Sequence, residues 1–174
     1  MILKIRQAGE RVLRQKARPL SRNEILNRST QELIESMRET MHDAPGVGLA
    51  APQVGESLRL IVVDVSGGEE DQKKQPYVLF NPVVLSSRGE AVAEEGCLSV
   101  PDVWADVTRP EIITVRALDR EGKSFELKDV DGLLARCIQH EIDHLEGVLF
   151  VDKISSTDRL LNEAKLKRMV RLTR

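Results

Sequence analysis

The sequence predicts an α+β fold, with antiparallel β-sheets packed around a buried central helix and a C-terminal helix beside them. Two observations carry this. Strand-like segments run together through the middle of the chain, two of them joined as a hairpin. They lead into a helix that is apolar nearly all round, the pattern of a buried helix, and then into an amphipathic one. No repeat and no linker divides residues 1–174, so a single domain is expected.

Taken in order, residues 10–18 suit a short helical turn that Pro19 ends. From Ser21 to His42, Ile25, Leu26, Leu33, Ile34, Met37 and Met41 recur at helical spacing. Ser21 and Glu24 form the pattern of a capping box. Residues 44–55 hold three glycines and two prolines, which rules out a regular helix or a central strand. The segment is nevertheless apolar and reads as a buried or cleft-lining loop. Leu58–Val65 is rich in β-branched residues and reads as a strand. Residues 66–76 read as a polar loop. Tyr77–Leu85 reads as a second strand, interrupted at Pro82. Glu111–Leu118 and Lys123–Lys128 form a hairpin around Asp119-Arg120-Glu121-Gly122. Asp131 is placed to cap a helix running to about Glu146, with Gly147 as its stop. A last amphipathic helix covers about 157–171, with Leu160, Leu161, Ala164 and Leu166 set against Lys165, Lys167, Arg168 and Arg171.

Composition narrows the function classes. The chain is 41% hydrophobic and 31% charged, the balance of a folded globular protein. Aromatics make up 3%, too few for a base-stacking platform, and the net charge of −2 gives no global attraction to nucleic acid or anionic membrane. Specific DNA binding and membrane association are therefore not expected. No uncharged apolar run reaches the roughly 20 residues of a membrane span. Two cysteines, Cys97 and Cys137, do not make a disulfide framework. With no secretory h-region at the start, a cytoplasmic setting is expected.

Chemistry is concentrated in His140-Glu141-Ile142-Asp143-His144 on the buried helix. Histidines at i and i+4 lie about 40° apart around a helix axis and about 6 Å apart along it, so both rings can converge on one cation. Glu141 then stands beside that cation, where a base for water is needed. A third protein ligand is expected, and residues 145–174 contain no His and no Cys. Upstream, Cys97 follows Gly96 in Glu94-Glu95-Gly96-Cys97-Leu98-Ser99 and completes a Cys97, His140, His144 set. Cys137 lies one turn before His140, but about 7.5 Å along the axis from the midpoint of the two histidines, too far for a short side chain. It reads as a core or pocket residue. Asp143 is either solvated or an orienter of a ligand. Gln53 is a neutral amide in an apolar loop, able to donate to an oxyanion or to brace the loop. His42, at a helix end, reads as a surface residue.

Gly46-Val47-Gly48-Leu49-Ala50-Ala51-Pro52-Gln53, Glu95-Gly96-Cys97-Leu98-Ser99 and Gln139-His140-Glu141-Ile142-Asp143-His144, in this order, resemble the three signature motifs of the peptide deformylase family. The resemblance runs from Val12-Leu13-Arg14 to about Val151. It departs at Gly9-Glu10-Arg11, where relatives often carry proline. It implies hydrolysis of the N-formyl group from the N-terminal methionine of newly made polypeptides, releasing formate. Cys97, His140 and His144 would hold one divalent metal ion and leave room for water. Glu141 would be the general base and acid, and Gln53 with the Leu98 backbone N–H would meet the oxyanion. Val47 and Gly48, with Gly96 and Leu98 opposite, would line the peptide site. Leu133 and Cys137 would wall the methionine pocket, and Arg109 is placed near the peptide. The resemblance favours Fe(II) as the physiological ion, with Zn(II), Ni(II) or Co(II) in preparations. It also raises a transient contact with the ribosome through the basic face of the last helix.

Two other functions are compatible with a metal-bearing helix. One is a zincin-like metallopeptidase, which needs a downstream ligand. The other is a non-catalytic, zinc-stabilised ribosome-binding module.

Overall fold

Seven strands in the computed structural model, which describes residues 1–66 and 76–172, form two antiparallel sheets. In chain order they are β1 (Gly48–Ala50), β2 (Leu60–Val63), β3 (Tyr77–Arg88), β4 (Ala91–Cys97), β5 (Val100–Arg109), β6 (Ile112–Leu118) and β7 (Ser124–Val130). The larger sheet has the order β1-β2-β3-β6-β7, and β4 with β5 makes a separate hairpin. The helices are α1 (Arg22–Leu26), α2 (Arg28–Asp43), α3 (Gly132–Leu145), α4 (Ser156–Leu161) and α5 (Glu163–Leu172). The fold is thus the expected α+β arrangement.

Strand β2 shows why the sheet is covered on both faces. Leu60, Ile61, Val62 and Val63 are all fully buried, although successive side chains of a strand point in opposite directions. Leu60 and Val62 join Ile34, Met37 and Met41 of α2 in one core. Ile61 and Val63 join Ala135, Cys137 and Ile138 of α3 in another. Helix α3 is therefore held against the sheet by burial of roughly 1.5–3 kcal/mol for each large aliphatic side chain. A third core lies under the β4–β5 hairpin. There Val103, Ala105 and Val107 face Leu13, Leu149, Phe150 and Val151, and Leu166 and Met169 of α5 pack onto it.

Several expectations are refined. The helix expected over Ser21–His42 is two helices, because Asn27 is extended (φ −65°, ψ 140°) and caps α2 by accepting from the Ser29 N–H. The Ser21–Glu24 capping box is present. Strand β3 continues past Pro82 to Arg88. A register shift between Phe80 and Val83, with Asn81 at φ 50°, absorbs the missing N–H. The last helix is also two, α4 and α5. Part of the glycine-rich segment pairs as β1, but at the edge of the sheet, and Ala51–Val54 forms a 3₁₀ turn. The β4–β5 hairpin adds an element that the expected order lacked. The polar loop expected at 66–76 lies, over 67–75, outside the described residues. No described helix is long and apolar enough to cross a membrane.

Candidate metal centre

Helix α3 begins after Asp131 and stops at Gly147, whose φ of 74° suits glycine. Because α3 is packed under β1 and β2, its residues 137, 141 and 144 are buried rather than solvated. His140 and His144 lie one turn apart and meet edge to face, with ring centroids 5.1 Å from each other and planes at 69°. Cys97 is the last residue of β4. The β4–β5 register shifts between Glu95 and Cys97, a bulge of the kind that re-aims a side chain. It brings the Cys97 Sγ to 3.3 Å from His144 Nε2.

The ligand atoms of Cys97, His140 and His144 all lie within 4.8 Å of one another, and among the described residues they form the one such group of three. The 3.3 Å between Cys97 Sγ and His144 Nε2 is a spacing at which a thiolate and an imidazole can share one ion. The ring orientations also fit. Glu95 Oε1 lies 2.8 Å from His140 Nδ1, and a carboxylate can only accept there, so Nδ1 carries the proton and Nε2 is left for a cation. Among the described residues, Glu141 Oε2 and His144 Nδ1 are buried side-chain atoms without a hydrogen-bond partner. A borderline-soft divalent ion suits this sulfur and nitrogen set.

The electrostatics separate the roles of similar residues. Burial pushes the Glu141 carboxyl up to about 7, against the pull of positive His140 and Arg109. A group poised near neutrality can both take and return a proton. Burial disfavours charge on His140, but Cys97, Glu95 and Glu141 outweigh it and raise its value. Burial and the charges of His140 and Arg109 push His144 well down. Without a cation the two adjacent rings therefore do not share charge equally. Burial, helped by the negative charge of Glu141 and Glu95, drives the Cys137 thiol well above its usual value. A thiol held protonated is a poor ligand, and Cys137 stays outside the donor group.

A cavity of about 580 Å³ opens at this centre. One wall is residues 44–48, the other is 94–98 and 100–104, and Leu133, Cys137, His140 and Glu141 of α3 form the base. Gln53 is buried on its 3₁₀ turn. Its Oε1 accepts from the Ala50 N–H at 2.8 Å, which turns Nε2 toward Cys97 Sγ at 3.5 Å and Ser99 Oγ at 3.2 Å. Leu98 lines the cavity, as do Val47, Gly48 and Gly96. The Cys137 thiol reaches the Val47 carbonyl at 3.5 Å, which ties α3 to that wall.

Arg109 requires a correction. It was expected near the peptide, but it is 2% exposed and does not line the cavity. Its inward position on β5 aims the guanidinium at Glu95 and Asp143. Asp143 is neither freely solvated nor in contact with a metal-site ring, since its carboxylate accepts from Arg109 and Lys153. His42 sits near the end of α2, 3.0 Å from Asp64, away from the centre. Sequence reasoning assigned no role to Glu95, Arg136, Ser99 or Trp104. Glu95 had only its place two residues before Cys97 as a signal, with nothing in the chain to mark its buried partners. Trp104 had another, as the chain's single tryptophan, 64% exposed on β5 beside the cavity.

Comparison with known proteins agrees with this geometry. The polypeptide deformylase family model matches residues 2–160. Peptide deformylase 2 of Xanthomonas campestris is 48% identical over 157 residues, which is 90% of this chain and 89% of that one. The crystal structure of a peptide deformylase from Legionella pneumophila superposes with a TM-score of 0.87 at 49% identity, covering 99% of this chain and 97% of that one. A peptide deformylase from Synechococcus elongatus in complex with actinonin gives a TM-score of 0.83 at 44% identity, covering 98% and 86%. Motifs, fold and donor geometry therefore converge, and the chain belongs to the peptide deformylase family, metal-dependent enzymes that remove the N-formyl group from the N-terminal methionine of newly made polypeptides.

Proposed function

We propose that this chain carries out that hydrolysis in the cavity above α3, with Cys97, His140 and His144 holding one divalent ion. The observation that carries the reading is the convergence of those three donors beside a buried carboxylate, Glu141, with an unpartnered oxygen. When bound, the ion acts as a Lewis acid toward the formyl carbonyl and makes the attacking water more acidic. Glu141 takes the proton of that water and hands it to the leaving amine. The Gln53 Nε2 and the Leu98 backbone N–H donate to the oxyanion that develops on the formyl oxygen. Val47 and Gly48 on one wall, with Gly96 and Leu98 on the other, pair with the peptide as an added strand. The edge position of β1 and the place of Gly48 on the cavity wall support that pairing. Leu133 and Cys137 wall the methionine side chain. The formyl group is the smallest acyl group, so a close-fitting centre rejects acetyl by size.

Ferrous iron is the ion we propose for the cell, with zinc, nickel or cobalt able to occupy the same donors. We further propose a cytoplasmic enzyme that meets nascent chains through transient ribosome contact at the exposed Lys167, Arg168 and Arg171 of α5. Actinonin, bound by the Synechococcus elongatus relative, is expected to compete with substrate here.

The test is formate release from an N-formyl-Met peptide, with an unformylated peptide as the control and Glu141→Ala as the variant. The wild type is expected to release formate and leave internal peptide bonds intact. Glu141→Ala is expected to keep its metal and fold while losing about 10²-fold to 10⁴-fold in turnover or more. Internal cleavage without formate would favour a metallopeptidase. Undiminished turnover in the variant would remove Glu141 from the reaction.

A further inference from the structure

Arg109 is a nearly fully buried cation that the proposed reaction does not use, and it touches two of the elements that build the metal centre. Its Nε donates to Glu95 Oε2 at 2.6 Å and its Nη2 to Glu95 Oε1 at 2.8 Å. Its Nη1 donates to Asp143 Oδ2 at 2.8 Å. Glu95 stands two residues before Cys97 on β4, and Asp143 stands one residue before His144 on α3. One guanidinium, rooted on β5, thus grips both the strand that presents the thiol and the helix that presents the imidazoles.

We propose that Arg109 is a positioning residue that sets the distance between the Cys97 sulfur and the two histidines and orients His140 through Glu95. This rests on the reading of Cys97, His140 and His144 as the metal-holding set.

The geometry gives each contact a separate task. The paired bonds from Nε and Nη2 fix the plane of the Glu95 carboxylate, which a single point charge cannot do. With the plane fixed, Oε1 lies 2.8 Å from His140 Nδ1 and holds that ring with Nε2 facing the centre. Arg136 of α3 completes the clamp. Its Nη1 donates to Glu95 Oε2 at 2.7 Å and to the Val107 carbonyl at 2.9 Å, and its Nη2 donates to the Ala91 carbonyl at 2.8 Å. Lys153 Nζ, 2.8 Å from Asp143 Oδ2, holds the far carboxylate from outside. Four nitrogens from three side chains, Arg109, Arg136 and His140, face the two Glu95 carboxylate oxygens, two to each, so it has little freedom to rotate. Both members of the central pair are nearly inaccessible, with side-chain exposures of 2% for Arg109 and 5% for Glu95. Losing the fork would leave a buried carboxylate partly unpaired, and the strand and helix would be free to separate by the small distance that spoils coordination.

The test uses the purified full chain loaded with Co(II), in the wild type, Arg109→Lys and Asp143→Asn. Arg109→Lys keeps the charge but not the fork. Asp143→Asn is nearly isosteric and loosens only the helix arm, so it serves if the lysine variant does not fold. Ile25→Val, in the separate core under α2, is the control for lost stability alone. Cobalt affinity is measured by competition with a chromophoric chelator, the sulfur-to-cobalt absorption by spectroscopy, and melting temperature on the metal-free protein. Both site variants are expected to bind cobalt about 10-fold to 100-fold more weakly, with a shifted sulfur-to-cobalt band. Ile25→Val is expected to melt lower with wild-type affinity and spectrum. Wild-type affinity and spectrum in Arg109→Lys or Asp143→Asn would overturn the clamp, and a raised KM beside them would return Arg109 to the substrate side. Weakened binding in Ile25→Val in proportion to its melting loss would also overturn it. A wild type that binds no cobalt would overturn the metal reading, and the clamp with it.

Discussion

Gly48→Ala is the sharpest probe of how closely the cavity wall is fitted to Glu141, the proposed proton-transfer group. A Cβ at Gly48 would lie 2.5 Å from Glu141 Oε1 and 2.5 Å from Cys137 Sγ, with Glu141 Cδ at 3.0 Å. Ordinary contact begins at 3.4 Å, so something must retreat by about 0.9 Å. Gly48 is held by its pairing with Val63 across β1 and β2, and both α3 side chains are packed. The carboxylate of Glu141 can turn, and the Cys137 thiol on the preceding turn of α3 must give way with it, so the reacting carboxylate is displaced in either case. A displacement near 1 Å in a reacting group costs about 10²-fold in rate, whereas overpacking costs roughly 1–3 kcal/mol in stability. The expected result is kcat/KM for formate release reduced about 100-fold, with a melting temperature only a few degrees lower and metal retained. The comparison is Gly46→Ala, whose Cβ would meet the terminal Leu98 Cδ1 at 2.9 Å, an atom on a flexible side chain. That variant should lose far less activity. Gly48→Ala with activity within about threefold of wild type would refute the placement of Glu141 as the group that moves the proton.

Metal loading should stabilise the fold, since an ion at 100 times its Kd adds about 2.7 kcal/mol; the melting temperature should rise with cobalt in the wild type and not in Cys97→Ser. Trp104 is the single tryptophan and lines the cavity, so a formyl-Met peptide or actinonin should change its emission; unchanged fluorescence at saturation would place the ligand elsewhere. Burial works to raise the Asp152 carboxyl, but donors on Arg14 and the Leu149 N–H outweigh it and hold it below the usual value. A depressed folded value contributes stability above the unfolded pKa, and that contribution is lost as pH falls through the folded value. Asp152→Asn should therefore be less stable at pH 7 by about 0.5–1 kcal/mol, the modest size reflecting the partly exposed Arg14, and should match wild type once Asp152 is protonated in acid. Equal stability at pH 7 would show that the pair contributes nothing.

Much of the fold was legible because its elements are locally consistent. The Ser21–Glu24 box, the β2 run and the 112–130 hairpin each carry their own pattern in a few residues. The β4–β5 hairpin was missed although β5 alternates inward Val103, Ala105, Val107 and Arg109 with outward residues. Pro101, Asp102 at φ 62° and an inward arginine disguise that alternation. The helix break at Asn27 was hidden because apolar spacing continues across it. At the site, Cys97, His140, Glu141 and His144 were readable from ligand chemistry and helical spacing. Glu95 and Arg109 were not, because their importance depends on a strand pairing that brings Ala105 opposite Glu95 and so sets Arg109 behind it. A buried ion pair leaves no periodic mark in the chain. The same charged residue reads as surface or as substrate contact until its neighbours are known.

X-ray absorption at the edge of the bound metal tests the centre most directly. One sulfur at about 2.3 Å and two imidazole nitrogens at about 2.0–2.1 Å, with a further light atom that actinonin displaces, is the expected shell for Cys97, His140 and His144. Two sulfurs, no sulfur, or a shell closed by a fourth side chain would contradict it.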